Sequence, residues 1–396
     1  MTDLHDYDLA IVGGGMVGTA LALLCRRANP AWRIALIDPE PPVASAAPAR
    51  PSFDSRATAV SAGSAQCFVS LGAWDPLSAS AAPIHQVHIS DKGYLPGQRI
   101  DRTEHGVEAL GYVVPNRSIG AALAERLSEQ SAIESLTAAV EKVEFGAEAA
   151  RLTLDSGESV TAKLVVVADG AHSALRDRLG IAVRERQYGQ RAVVANVRVS
   201  KNHHNSAYER FTDQGPLALL PLADPRELAL VWTRPENTPE PSDDSAFLAE
   251  LQRRFGYRLG RFEAVSPRAD YPLALREAAE QVRSRLAVMG NAAHSLHPVA
   301  GQGFNLALRD CVVLAECLAS AKDPGILACL QAYERARLSD QQLTAYLSHS
   351  MVKLFTSANP AAVTLRHSGL LAMELLAPLK TGFSRQMMGL TGVHYA

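Results

Sequence analysis

The chain has no cysteine pattern that could cross-link it. Cys25, Cys67, Cys311, Cys317 and Cys329 are odd in number and none stands in C-x-x-C spacing. Neither a disulfide framework nor a zinc site is expected, and no other metal. The sequence also lacks an excess of either charge: the formal net charge is −2 and there is no basic run. Nucleic acid is therefore not an expected partner. No secretory signal opens the chain, and no apolar run reaches the ~18 residues that would span a bilayer. A reducing cytoplasm is the expected compartment. No internal repeat is visible. What is present is ordinary globular material, 396 residues with 47% hydrophobic content, enough to bury two cores.

Two glycine-rich segments stand out, one near each end. In DYDLAIVGGGMVGTA, Leu9 to Val12 reads as a buried parallel strand, followed by Gly13, Gly15 and Gly18 in G-x-G-x-x-G spacing and a helix through Arg27. Gly13 permits the tight turn, Gly15 lets backbone approach a pyrophosphate, and Gly18 lets helix pack on strand. The phosphates would sit at the positive end of that helix. A second strand, Arg33 to Ile37, leads to Asp38, about 20 residues beyond Gly18, where an acid accepts hydrogen bonds from a ribose diol. Strand, glycines, helix, strand and acid in this order point to an adenine dinucleotide. NAD and FAD share the motif, so it does not choose between them.

The second segment is GNAAHSLHPVAGQGFNLALRD, Gly290 to Asp310. Arg285 to Met289 reads as a strand, Gly290-Asn291 as its exit turn, and Phe304 onward as a helix. The loop from Pro298 to Gly303 would then deliver the N–H groups of Gly301, Gln302 and Gly303 to a helix N-terminus, which is an anion site. A reduced isoalloxazine ring carries its negative charge at the pyrimidine edge. His294 and His297 flank this loop as candidate general bases, or as histidines that only bond backbone.

Other residues have double readings. Arg56 follows a small polar loop (Ser52, Asp54, Ser55), where an arginine either meets a ligand or pairs with Asp54 at the surface. Asn116 precedes a helix expected over Ser118 to Leu127, where it could cap the helix or touch a ligand. Asp169-Gly170 ends the apolar strand Leu164 to Ala168, at the rim of a parallel sheet where ligands bind. Ser173 reads as a helix cap beside Arg176.

These segments, with DSRATAV (Asp54 to Val60), LGYVVPNRSIGAAL (Leu110 to Leu123), LVVVADGAHSALR (Leu164 to Arg176) and AYERFTDQGPLALLPL (Ala207 to Leu222), occur in the order of a known family. They resemble the flavoprotein aromatic hydroxylases, and within them the ubiquinone-biosynthesis hydroxylases, over nearly the whole chain. The resemblance implies FAD, NAD(P)H as reductant and molecular oxygen as cosubstrate, with ring hydroxylation of a polyprenylated methoxyphenol through a flavin C4a-hydroperoxide. It implies FAD contacts at Gly13, Gly15, Gly18, Asp38, Arg56, Asn116, Asp169, Gly170, Arg176, Gly290, Asn291, Gly301, Gly303 and Asn305. Arg176 would also help nicotinamide use, and Pro298, Gly301, Gln302 and Gly303 would frame the catalytic face. One departure is Asn291, where the broader class has Asp; Asn keeps an acceptor oxygen and drops the charge. Rival readings are hydroxylation of another ring position or another lipophilic phenol, an isoprenoid dehydrogenase, and a lipid-presenting subunit of a quinone-biosynthesis complex with an idle flavin.

The expected fold is α/β: a Rossmann-like FAD-binding domain of the aromatic-hydroxylase type (1–75, 105–183 and 270–345), interleaved with a β-sheet substrate domain (76–104 and 184–269), then a helical C-terminal region (346–396). Ala192 to Val199, Leu217 to Leu222 and Leu228 to Thr233 read as strands of a mixed or antiparallel sheet over the flavin. Pro39 to Ser52 reads as a loop. The C-terminal region reads as helices broken at Pro360, Gly369 and Pro378, with an apolar stretch from Leu370 to Met388. That stretch either packs on the FAD domain or makes a peripheral contact with the inner face of the membrane that holds the polyprenyl substrate.

Overall fold

Strands that are apolar on both faces need cover on both faces, and this sets the architecture. The computed structural model describes residues 5–40, 42, 56–92, 97–356 and 359–391. Among them, Leu286–Val288, Ser159–Val167, Tyr7–Val12, Ile34–Asp38 and Ile133–Thr137 lie side by side in parallel at the heart of an eight-stranded sheet. Leu9 pairs with both Leu164 and Ile34, and all three are fully buried. On one face the helices Met16–Ala28 and Gln302–Ala319 pack against each other through Leu21, Leu24, Leu308 and Leu314. The opposite face buries Ala10, Val12, Val165 and Val167 against Leu152, Leu175 and Ile181.

A nine-stranded sheet forms the second layer, running from His294–Ser295 through Ala269–Ala278, Val183–Val199, Glu227–Pro235, Pro216–Pro221, Ser206–Phe211 and Gln86–Asp91 to Gln98–Asp101. It is mixed, because Ser206–Phe211 runs parallel to Gln86–Asp91 while the other pairs in that run are antiparallel. A small sheet of Ala57–Ser61, Gly111–Pro115 and Ala82–Ile84 lies alongside. The layers interleave more finely than the sequence divisions. Ala82–Ile84 joins the small sheet, whereas Ala269–Ala278 and His294–Ser295 join the nine-stranded one. A strand joins whichever sheet presents a free edge, and its own pattern does not say which.

The helical C-terminal region is Leu327–Thr356, Pro360–Leu375 and Ala377–Met387. Pro360 and Pro378 fall in first turns, where no N–H is needed. The expected break at Gly369 does not occur, because that glycine lies inside Pro360–Leu375. One interior glycine costs a helix about 1 kcal/mol, too little to end one held by tertiary contacts. Most of the expected Pro39 to Ser52 loop, with Asp54 and Ser55, lies outside the described residues.

Candidate functional site

The first glycine turn is built as its spacing requires. Gly13 has φ +114°, and a Cβ there would lie 2.4 Å from the Ala168 carbonyl oxygen, so only glycine fits. A Cβ on Gly18 would lie 1.9 Å from the Gly13 oxygen, which keeps helix and turn in contact. Gly15 is the N-cap of Met16–Ala28, with no side-chain cap and no acid in the first turn. Asp38 accepts from Gly14 N–H at 2.6 Å and Glu40 N–H at 2.8 Å, so it braces the turn.

The second glycine segment meets the first directly. Gly290 has φ +58°, and its Cβ would sit 3.1 Å from Val17 Cγ1 on the first helix. Farther on, Cys311 Sγ lies 3.7 Å from the Val17 carbonyl oxygen. Pro298 opens a 3-10 turn over Val299–Gly301, and Gly301, in the left-handed region with φ +60°, caps the helix Gln302–Ala319. The helix thus starts at Gln302 instead of Phe304, because the left-handed Gly301 redirects the chain. Gln302 and Gly303 lie in its first turn, whose N–H groups point along the axis. This helix too has no side-chain cap and no acid in its first turn. Around a Cβ on Gly303 nothing lies within 4 Å, so the turn faces open space.

Asn305, read from sequence as a cofactor contact, is 1% exposed and bonded to main chain. It accepts from Ser61 N–H at 2.8 Å and donates to the Ala59 and Gly301 carbonyls, each at 2.8 Å. The amide therefore fixes the Ala57–Ser61 strand to the start of the helix. Gln302 donates to the Met387 carbonyl at 3.2 Å, so the last helix supports the same loop.

Asp169 and Asn291 are both exposed. Desolvation nevertheless raises the Asp169 carboxyl above its usual range, outweighing the Ser173 hydrogen bond, as befits a group in a recess. Gly170 has φ +99°. Ser173 caps its helix, accepting from Arg176 N–H at 3.0 Å. Arg176 is 4% exposed and donates to the Ala171 and Ala292 carbonyls and to Asp177, tying the Asp169 turn to the Gly290 turn. Asn116 is not a cap: Pro115 holds that position and the helix is Asn116–Ser128, so the Asn side chain instead accepts from the Thr58 hydroxyl at 2.6 Å. Arg56 lies 4.8 Å over the Tyr271 ring, joining the start of the small sheet to the nine-stranded one, while Asp54 lies outside the described residues.

The two histidines are sealed in. His294 lies 3.1 Å from Asp310, and burial pushes its pKa down despite that charge. His297 is 1% exposed, pushed down to about 4 by burial, and its Nδ1 accepts from Val299 N–H at 3.3 Å. Behind them lies a buried ion network. Arg337, 2% exposed, donates to Asp310 at 2.6 Å and pairs with Asp340, which Arg309 and Gln386 each reach at 2.8 Å. It joins the C-terminal helices to the helix that carries the Gly301 turn.

These features fit FAD. Two helix N-termini without side-chain caps, a glycine turn that no side chain could replace, open space before Gly303, and exposed polar groups at Asp169 and Asn291 converge beside a second sheet. Similarity to known proteins makes the chain a flavin-dependent monooxygenase. The chain belongs to the family described as FAD binding domain, whose model matches residues 6–345, and within it to the ubiquinone-biosynthesis hydroxylases. It is 37% identical over 392 residues to a ubiquinone hydroxylase of Rhodospirillum rubrum, covering 96% of this chain and 89% of that protein. It is 31% identical over 395 residues to the 3-demethoxyubiquinol 3-hydroxylase of Escherichia coli, covering 97% and 98%. The crystal structure of p-nitrophenol 4-monooxygenase from Pseudomonas putida superposes with a TM-score of 0.76 at 20% identity, covering 96% and 98%, and so shares the fold.

Proposed function

We propose that the protein hydroxylates the ring of a polyprenylated methoxyphenol in ubiquinone biosynthesis, using FAD, NAD(P)H and molecular oxygen. The observation that carries the reading is the meeting of the two glycine segments beside an apolar sheet face that is only half-buried. Gly13, Gly15 and the start of Met16–Ala28 would hold the pyrophosphate, with Asp38 toward the ribose and Asp169, Gly170, Arg176, Gly290 and Asn291 toward the ribityl chain. Pro298, Gly301, Gln302 and Gly303 would hold the ring system at the second helix N-terminus. Bound there and reduced by NAD(P)H, flavin supplies activation of oxygen for transfer to an electron-rich ring. The protein's own part is to exclude water, orient the phenol and manage its proton.

The names of the Rhodospirillum rubrum and Escherichia coli relatives support a quinone-pathway ring as substrate. In the nine-stranded sheet, Val194, Ala218, Leu220 and Val231 are half-buried and suit the apolar body of such a substrate. No helix among the described residues is long and apolar enough to cross a membrane. The C-terminal helices expose Leu365, Leu376 and Leu379 to 64%, 51% and 54%, and a peripheral membrane contact would be made there. The inner side of the same region is packed: Met388 is 3% exposed and Phe383 joins its cluster.

The test is mass spectrometry of the quinone intermediates in cells lacking the gene, with oxygen-18 tracing in the purified enzyme. Accumulation of a prenylated methoxyphenol, and one labelled oxygen in the product, are expected. Normal quinone levels or an unlabelled product would overturn the reading.

A further inference from the structure

We propose that Glu209 is the base that takes the phenolic proton from the ring to be hydroxylated. The assignment rests on the reading of the protein as a ring hydroxylase. Glu209 lies in the strand Ser206–Phe211, and alternation puts it on the same face as Ala207 and Phe211. Those two belong to the cluster that includes Met351, Leu354, Phe383 and Met388 of the C-terminal helices. Across the sheet the register reads Ile89, Glu209, Ala218, Val231, Val194. A carboxylate thus stands in an otherwise apolar row. Among the described residues no hydrogen bond or ion pair reaches it.

Unpaired carboxylates are rarely left in apolar walls, because the charged form pays a desolvation penalty with nothing in return. Glu209 keeps part of its surface accessible, yet the surrounding protein pushes its pKa up to about 7 by desolvation alone. Glu209 is thus set among apolar side chains without being sealed off, as a group that meets a bound ring would be. Of the neighbouring strands, Pro216–Pro221 brings no titratable side chain. Gln86–Asp91 brings Asp91, already paired with Arg366 at 2.7 Å and His367 at 3.0 Å from the Pro360–Leu375 helix. Tyr271 and Arg56 lie at the far side of the sheet. A phenol has a pKa of about 10, so a carboxyl near 7 is a better-matched acceptor than one at 4.5.

In the step itself the phenolic O–H bond breaks, the proton bonds to a Glu209 oxygen, and the electron pair stays on the ring oxygen. That raises electron density at the carbons ortho and para to it, where oxygen is received. As the hydroxylated carbon loses its own hydrogen to water as a proton, Glu209 returns its proton to the ring oxygen. The reductant and oxidant are the NAD(P)H and oxygen of the hydroxylation.

The test uses the FAD-loaded full chain with a short-chain prenyl-2-methoxyphenol as probe. The wild-type kcat/KM is expected to fall as pH drops through about 7. Glu209→Gln should lose that limb and form product about 10²–10³-fold more slowly, with NAD(P)H consumption diverted to hydrogen peroxide. Glu209→Asp should restore the limb at reduced rate. Flavin content equal to wild type, and a Tm at pH 8 no lower, would show Glu209→Gln to be folded. Retention of both limb and coupling in Glu209→Gln overturns the assignment alone, and a lowered Tm with lost flavin overturns it in favour of a structural role. A wild-type enzyme that hydroxylates no phenol overturns the functional reading and this assignment with it.

Discussion

The two faces of the nine-stranded sheet come from the same strands and do opposite things. On one face Val193, Leu217, Leu219, Leu230 and Trp232 are at most 1% exposed, sealed by the helix Asp244–Phe255 through Phe247, Leu251 and Phe255. One residue along each strand, Val194, Ala218, Val231 and Glu209 are only half-buried, and among the described residues no hydrogen bond or ion pair reaches the Glu209 carboxylate. The sealed face is where the sheet gains stability; the half-buried face makes fewer contacts, and the proposed function puts the substrate there. A parallel contrast holds for helix ends. Asp243 caps the sealing helix by accepting from Ala246 N–H at 2.8 Å, whereas the Gly15 and Gly301 caps offer no side chain and leave first-turn N–H groups for a ligand.

Breaking the sealed face should have the largest effect on stability. Trp232→Ala removes a fully buried indole that meets Phe247 edge to face at 5.5 Å, and should cost about 3–5 kcal/mol. Chemical denaturation would read this, and a loss under about 1 kcal/mol would mean that the two faces do not differ as described. Glu209→Gln on the open face should act in the opposite sense. A carboxyl raised from 4.5 to about 7 costs nothing below pH 4.5, where it is protonated both folded and unfolded. The cost grows up to about pH 7 and is full above it. The substitution should therefore add about 2 kcal/mol at pH 8 and nothing at pH 4, allowing for the carboxyl's partial accessibility. Thermal melts at both pH values would show it, and a pH-independent change would break the contrast.

Asp243→Ala should cost about 1 kcal/mol without altering flavin content, measured by absorbance, because its cap serves only the sealing helix. Loss of flavin there would mean that the two faces are coupled. The smallest effect on stability is expected from Val231→Ala, under about 1 kcal/mol because the side chain is only half-buried. Its effect should fall on KM for a prenylated phenol and on the fraction of NAD(P)H that ends as hydrogen peroxide. An unchanged KM would place the ring elsewhere.

Part of the candidate site was legible because its glycine turns have a local component: Gly13 and Gly301 take positive φ, and Gly18 meets the Gly13 carbonyl five residues before it. The Ala168 carbonyl that excludes a side chain at Gly13 comes from a distant strand and was not legible. Asn116 and Asn305 were singled out, but what they touch was not legible. Thr58 pairs with Asn116 from the small sheet, and Ser61 and Ala59 pair with Asn305 from more than two hundred positions away. Glu209 was missed although AYERF lay in a quoted motif. Alternation says that Glu209 and Phe211 share a face, but not whether that face meets water, a helix or a chamber. The histidines beside the Gly301 loop kept two readings for the same reason, since a sequence does not display burial; the structure buries both, and His297 bonds backbone.

By itself the sequence determined the parallel strands, the two glycine turns and the family, because these rest on local backbone geometry and on periods of two and 3.6 residues. Only the tertiary structure decided which face of the second sheet stays open, which carboxylate stands in it, and that Arg337, Asp310 and Asp340 tie the C-terminal helices to the helix that begins at the Gly301 turn. Those outcomes depend on desolvation and on contacts between distant segments. Both are properties of the packed molecule and not of any stretch of chain.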